Sequence, residues 1–351
     1  MRALLALGFG VLALAGNQQP GSPVGWRFDL ADDSSRQYEP DPGDSTGRGP
    51  RPVAITVFYP ATAGGGAPAS HETLGRLDAY NRFRRPPETA FTTASTAAFE
   101  GTAPDGLTQV VHSVRDAEPS AGRHPLVLFA HSTPLGMSAM AEDLAAHGFV
   151  VAGVISRGAE RGAYRLSVAD VQAMTTDLRF ALEHVRGLPF VEPSHVGAIG
   201  MSNGSFAAVG LANQIPIDAI VSLDGTVGER AAARVLPELQ SAAAPASTPP
   251  LLHLYAPENA FLDFAELRKR PGRCLTIQVP DVAHSDFLTF ALLRPVDPNA
   301  SPRRDRVIEK FAAMRRLTRA FLASRLSGGP DVRLEPGDES LGLSAAPCDA
   351  R

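Results

Sequence analysis

A chain of 351 residues with 44% hydrophobic content carries enough apolar material for one large core, which excludes a disordered or fibrous polymer. Its 33 basic and 37 acidic residues leave a formal charge of −4, so nothing in the charge or in any aromatic and basic interleaving calls for nucleic acid. Two distant cysteines, Cys274 and Cys348, are too few for a metal centre and enough for one disulfide.

The chain opens MRALLALGFGVLALAG: Arg2, an apolar run from Ala3 to Ala15, and the small-x-small triplet Ala13-Leu14-Ala15. This layout predicts a secretory signal over residues 1–15. About 13 apolar residues fall short of the roughly 20 that span a bilayer, and no cysteine follows for lipid attachment. The expected mature chain is therefore exported, periplasmic or secreted, with no transmembrane segment. In an oxidising compartment the two cysteines are either a disulfide tying the tail to a strand near Arg273 or two free thiols.

Residues 16–50 read as an extension rich in Pro, Gly, Asp and Ser, broken by a short strand at Trp26 to Leu30. A clearer strand follows, where Val53, Ile55, Val57 and Tyr59 alternate with Ala54, Thr56 and Phe58. Residues 61–121 are loop-rich, with Gly64-Gly65-Gly66 and Pro86-Pro87, and Arg82-Phe83-Arg84-Arg85 reads as a solvated stretch. So long a connection inside a domain predicts a functional loop or a disordered one, with a flap near the mouth of the site favoured.

From residue 125 strands alternate with helices. Pro125 to Ala130 is a buried strand, Met137 to His147 a helix closed by Gly148, and Phe149 to Ile155 the next strand. Ser167, with Asp170 three residues on, caps a helix whose Val171, Met174, Leu178, Ala181, Leu182 and Val185 share one face. Val196 to Ile199, Ala219 to Leu223, Leu251 to Tyr255 and Cys274 to Val279 are further strands. Ser301-Pro302 starts a last helix carrying Ile308, Phe311, Met314, Leu317 and Phe321 inward. This alternation predicts an α/β domain over residues 51–326, a mostly parallel central sheet with helices on both faces, then a surface-wrapping tail over 327–351.

Gly200-Met201-Ser202-Asn203-Gly204 stands between the strand at Val196 and an apolar helix from Phe206 to Leu211. That is the layout of a sharp turn presenting a serine hydroxyl at the end of a sheet, with glycines where strand and helix must approach closely. A serine needs a base and a group to orient that base. In such sheets partners stand beyond the carboxyl ends of later strands. Asp224 and His284 do so, giving the chain order nucleophile, acid, base. His131 and His253 are rival bases that read more simply as structural histidines. Glu258 and Asp263 follow the next strand as rival acids, Asp224 before Gly225 also suits a turn, and Asp286 reads as a helix cap or a brace for the histidine loop. The oxyanion donors are expected to be the amides of Asn203 and Thr133, because Pro134 has no N–H. Phe287, Leu288, Phe290, Leu292 and Leu293 read as core first and an acyl pocket second.

Taken together, Arg51 to Pro60, His124 to His131, Asp143 to Ala152, Gly200 to Gly204, Leu223-Asp224 and Ala283 to Phe287 resemble the platelet-activating-factor acetylhydrolase group of α/β-hydrolases, with dienelactone-hydrolase-like enzymes nearby. The resemblance spans roughly residues 50–290. It implies an α/β-hydrolase fold and a serine esterase without metal or organic cofactor, acting on a small-molecule or lipid ester. It favours Asp224 over Glu258 as the acid. His131-Ser132 departs from the group's usual His-Gly, and Asn203 is unusual after the nucleophile. Polyester or cutin hydrolysis, amide hydrolysis by the same serine, and a catalytically silent binding protein are the competing expectations.

Overall fold

The apolar runs between residues 124 and 278 become six neighbouring parallel strands, since a strand buried on both faces has no reason to alternate polar with apolar residues. The computed structural model describes residues 22–38, 48–63, 68–70, 110–130, 133–154, 158–159, 167–239, 248–270, 273–293 and 301–348. Within them the strands are β1 (Val24–Tyr38), β2 (Gly49–Pro60), β3 (Pro68–Ser70), β4 (Val110–Arg115), β5 (His124–Ala130), β6 (Val150–Val154), β7 (Val191–Met201), β8 (Ala219–Leu223), β9 (Leu251–Tyr255), β10 (Cys274–Gln278) and β11 (Ser344–Pro347). They form one sheet in the order β11-β10-β9-β8-β7-β5-β6-β2-β1-β4-β3. β5 to β10 run parallel, while β2 joins β6, and β11 joins β10, antiparallel.

The described helices are α1 (Pro134–Ala146), α2 (Val168–Val185), α3 (Gly204–Ala212), α4 (Ala232–Glu238), α5 (Ala265–Arg268), α6 (Phe290–Leu293), α7 (Ser301–Leu326) and α8 (Pro336–Ser340). Alternate residues of β5 divide between two cores: Val127 and Phe129 pack with α1 and α7, Leu126 and Leu128 with α2 and α3. This is the expected two-sided α/β architecture. Ser167 caps α2 by accepting the Asp170 N–H, and all six apolar residues read onto its inner face are buried. In α7, Val307 is buried and Ile308 only partly so, a small rotation from the expected face.

Three stretches differ from the sequence reading. β1 is fifteen residues long, not the short strand at Trp26 to Leu30, because ladder bonds to β2 carry it past the polar run Asp32 to Arg36. The segment 61–121 contributes β3 and β4 to the sheet rather than loop alone, and residues 71–109 lie outside the described residues, as does the expected signal over 1–15. The tail does not merely wrap the surface. It supplies α8 and the edge strand β11, where Cys348 is disulfide-bonded to Cys274 of β10. A cross-link over a sequence separation of 74 stabilises by about 4 kcal/mol through loss of unfolded-chain entropy.

One buried ion cluster ties the early strands to α2. Arg51 donates Nε and Nη2 to the two oxygens of Asp177, each at 2.7 Å, and Arg36 Nη2 donates to Asp177 Oδ1 at 2.7 Å. Burial alone would lower the Arg51 pKa, yet the Asp177 bonds and charge raise it, so this guanidinium stays charged in the interior. No helix among the described residues is long and apolar enough to cross a membrane.

Candidate active site

β7 ends at Met201, and Ser202 follows with φ of 51°, a left-handed conformation costly for a residue with a Cβ. Its N–H donates to Leu223 O at 3.1 Å, so the turn is held by the end of β8. Gly200 shows why the motif needs glycine: a Cβ there would stand 2.4 Å from the backbone of Gly204 and Ser205, where α3 begins. Strand and helix backbones touch at this point, which drives the serine outward.

Asp224 follows β8, the neighbour of β7 in the sheet, with Met201 paired to Leu223. It too has positive φ, 40°. Its N–H donates to Leu254 O at 2.7 Å, and Oδ1 accepts the Ala256 N–H at 3.0 Å, so β9 and the turn after it fix the carboxylate. The remaining oxygen, Oδ2, lies 2.6 Å from His284 Nδ1. A carboxylate opposite Nδ1 calls for the tautomer with the proton on that nitrogen, leaving Nε2 as acceptor. The Asp224 side chain is 4% exposed and the imidazole 52% exposed. Thus a buried charge holds a ring that reaches solvent.

The loop carrying His284 is braced at several points. Asp286 Oδ2 accepts the Ala283 N–H at 2.7 Å and so caps the short helical turn His284–Phe287, the first of its two expected roles. Glu258 Oε1 accepts the Asp281 N–H at 3.0 Å, and Lys310 Nζ donates to Pro280 O at 2.7 Å. Glu258 therefore meets the backbone of the histidine loop, not the ring. Asp263 sits beside Arg268 at 3.7 Å and stands apart from the imidazole. Phe287, Leu288, Phe290 and Leu293 are buried in the core with α7, so packing accounts for them.

His253, the rival base, lies inside β9 with no exposed surface, and its Nδ1 shares a hydrogen bond of 2.9 Å with Ser222 Oγ. Burial pushes its pKa down to about 4, against the raising effect of Asp224, so it stays neutral and structural. His131 lies outside the described residues. Thr133 follows β5 and caps α1, its Oγ1 accepting the Gly136 N–H at 2.8 Å. Asn203 leads into α3, and no described residue accepts its N–H. Helices α1 and α3 thus begin beside adjacent strand ends, where their N-terminal dipoles favour negative charge.

Thr133, Ser202, Asn203, Asp224 and His284 accordingly all follow the carboxyl ends of parallel strands, β5, β7, β8 and β10, at the same end of the sheet, and of their side chains Asp224 and His284 are in contact. Among the described residues neither Ser202 Oγ nor His284 Nε2 has a hydrogen bond, to the other or to any further group. Among the described residues no group of three or more His, Cys, Asp or Glu could hold a metal. The sequence reading passed over Ser205 and Thr226, whose hydroxyls face the Ser202 turn from below. A hydroxyl on an otherwise apolar helix was the available signal.

No protein-family model matches this chain, and no curated protein matches it. Among solved structures, a ferulic acid esterase from Streptomyces cinnamoneus superposes with a TM-score of 0.66 at 22% identity, over 92% of this chain and 96% of that one. A serine hydrolase without lid from Xanthomonas campestris aligns more loosely, with a TM-score of 0.43 at 13% identity, over 89% of this chain and 100% of that one. The fold assignment rests on the first of these and on the strand order.

Proposed function

We propose, from the α/β-hydrolase fold that strand order and structural likeness establish, that this chain is an exported serine hydrolase cleaving carboxylic esters through an acyl-enzyme. The observation that carries the reading is the 2.6 Å contact between His284 Nδ1 and Asp224 Oδ2, made one strand away from a serine held at positive φ. A purely structural aspartate would not need to fix a half-exposed imidazole.

In this reading His284 Nε2 takes the proton of Ser202 as Oγ attacks the ester carbonyl. The oxyanion is held by the amides of Asn203 and Thr133 and by the two helix N-termini behind them. His284 then gives the proton to the departing alcohol. Water, deprotonated by the same nitrogen, attacks the acyl group and frees Ser202. The Asp224 charge supports the imidazolium in both halves. Every step uses groups of this chain, the ester and water.

The proposed substrates are short-acyl or phospholipid-type esters, supported by the resemblance to the acetylhydrolase and dienelactone-hydrolase-like group. Export is supported by the N-terminal pattern and by the paired cysteines. The test is a chain-length series of nitrophenyl acyl esters, with a feruloyl ester, a polyester and an amide beside it, on wild type and Ser202→Ala. Wild type is expected to favour one length class of ester, and Ser202→Ala to lose about 10³-fold or more in kcat. Turnover by the alanine variant at the wild-type rate would overturn the reading, as would a wild type inert on every substrate.

A further inference from the structure

Four donors converge on the carbonyl oxygen of Ser202. The amide and hydroxyl of Ser205 lie at 3.1 and 2.7 Å, the amide and hydroxyl of Thr226 at 3.2 and 3.3 Å. A carbonyl oxygen offers two lone pairs, which the two amides alone would occupy. The hydroxyls therefore do more than satisfy an acceptor. Both side chains are buried, where an unbonded hydroxyl is costly, and Ser205 sits on a helix whose other side chains are apolar. Ser205 Oγ also accepts the Val227 N–H at 3.2 Å and lies 3.4 Å from Thr226 Oγ1.

Thr226 stands two residues beyond Asp224. The space between the two turns is closed by Gly225, where a Cβ would fall 2.6 Å from Ser205 Oγ and 2.1 Å from Ser222 Oγ. No side chain fits there. The turn after β8 therefore grips the turn after β7 directly, through the Ser205 and Thr226 hydroxyls.

We infer that Ser205 and Thr226 are positioning residues whose hydroxyls lock the Ser202 carbonyl and so fix the nucleophile's turn against the turn bearing Asp224. The inference rests on the roles proposed above for Ser202 and Asp224. Removing either hydroxyl leaves the two amide bonds and the core packing, so both variants are expected to fold, Ser205→Ala at the cost of the Val227 N–H bond. What is lost is the direction in which Ser202 Oγ is presented, and small misplacements of a nucleophile are expensive in rate.

The test measures kcat and KM for nitrophenyl acetate, and the rate of labelling by a fluorophosphonate, on wild type, Ser202→Ala, Ser205→Ala, Thr226→Val and Thr226→Ser, with circular dichroism to verify folding. Ser205→Ala and Thr226→Val are expected to lose about tenfold to a hundredfold in kcat, to keep KM, and to slow labelling in proportion. Thr226→Ser, which restores the hydroxyl, is expected to recover the wild-type rate. Thr226→Ala replaces Thr226→Val if the latter does not fold. If wild type is labelled and Ser202→Ala is not, while folded Ser205→Ala and Thr226→Val react at the wild-type rate, the positioning inference is wrong and the functional reading stands. A Thr226→Ser variant as slow as Thr226→Val would equally overturn it, assigning the effect to the methyl group. A folded wild type that takes no label removes the functional reading and this inference with it.

Discussion

Asp177 and Asp224 are both buried carboxylates, and they are used in opposite ways. Asp177 is closed off: two oxygens, three arginine nitrogens at 2.7 Å, and no partner that reaches bulk solvent freely. Asp224 gives one oxygen to a backbone amide and the other to an imidazole that is half exposed. The first arrangement binds β2 to α2 and asks for nothing further. The second hands a buried charge to a ring whose other nitrogen is open to chemistry. Burial alone does not distinguish the two acids; the exposure of the partner does.

The contrast breaks most sharply by mutation of the second acid. Asp224→Asn is expected to lower kcat by about 10³ to 10⁴-fold, because an amide no longer enforces the tautomer or supports the imidazolium. Glu258→Gln, whose hydrogen bond among the described residues is to the Asp281 amide, is expected to stay within about fivefold of wild type. Steady-state kinetics on the two purified variants decide this, and the reverse ranking would move the acid to the later strand.

Asp177→Asn is expected to do the opposite. It leaves Arg51 and Arg36 without a full counter-charge, costing about 3–5 kcal/mol of stability, while turnover per folded molecule is retained. Urea unfolding beside an active-site titration measures both. A variant of normal stability would mean that the arginines find other acceptors.

A smaller effect separates His253 from His284. The His253 pKa lies near 4 in the folded chain, below its ordinary 6.5, because burial disfavours the charged ring. Between these values the unfolded chain binds the proton and the folded chain does not, so stability falls as pH drops from about 6.5 to 4, by about 3 kcal/mol for this group. Above that window the group contributes no pH dependence. Urea unfolding of wild type and His253→Gln across pH 7 to 4.5 reads the difference, with a shallower slope expected in the variant. Parallel slopes would show that His253 titrates normally.

Legibility followed the same physical divide. The strands β5 to β10 stand near where their apolar runs place them, because burial on both faces writes the strand into composition. β1 and β11 carry polar or featureless sequence, and their places come from ladders with β2 and β10 that have no local signature; the disulfide at the end of β11 was legible as one of two alternatives for the cysteines. At the candidate site, the sharp turn bearing Ser202 was legible from its glycines and flanking elements. Chain order and the family resemblance favoured Asp224 over Glu258 although both follow strands, and the geometry puts Asp224 against the ring. Ser205 and Thr226 stayed hidden because a hydroxyl three residues beyond a serine has no meaning until two turns are seen face to face.

The central claim is that Asp224 and His284 make Ser202 a nucleophile. It is tested most directly by mass spectrometry of folded protein after exposure to a fluorophosphonate. The account predicts one adduct on the peptide carrying Ser202 in wild type, formed about 10³-fold more slowly in His284→Ala. An adduct that forms equally fast without the imidazole, or a folded wild type that forms none, would contradict it.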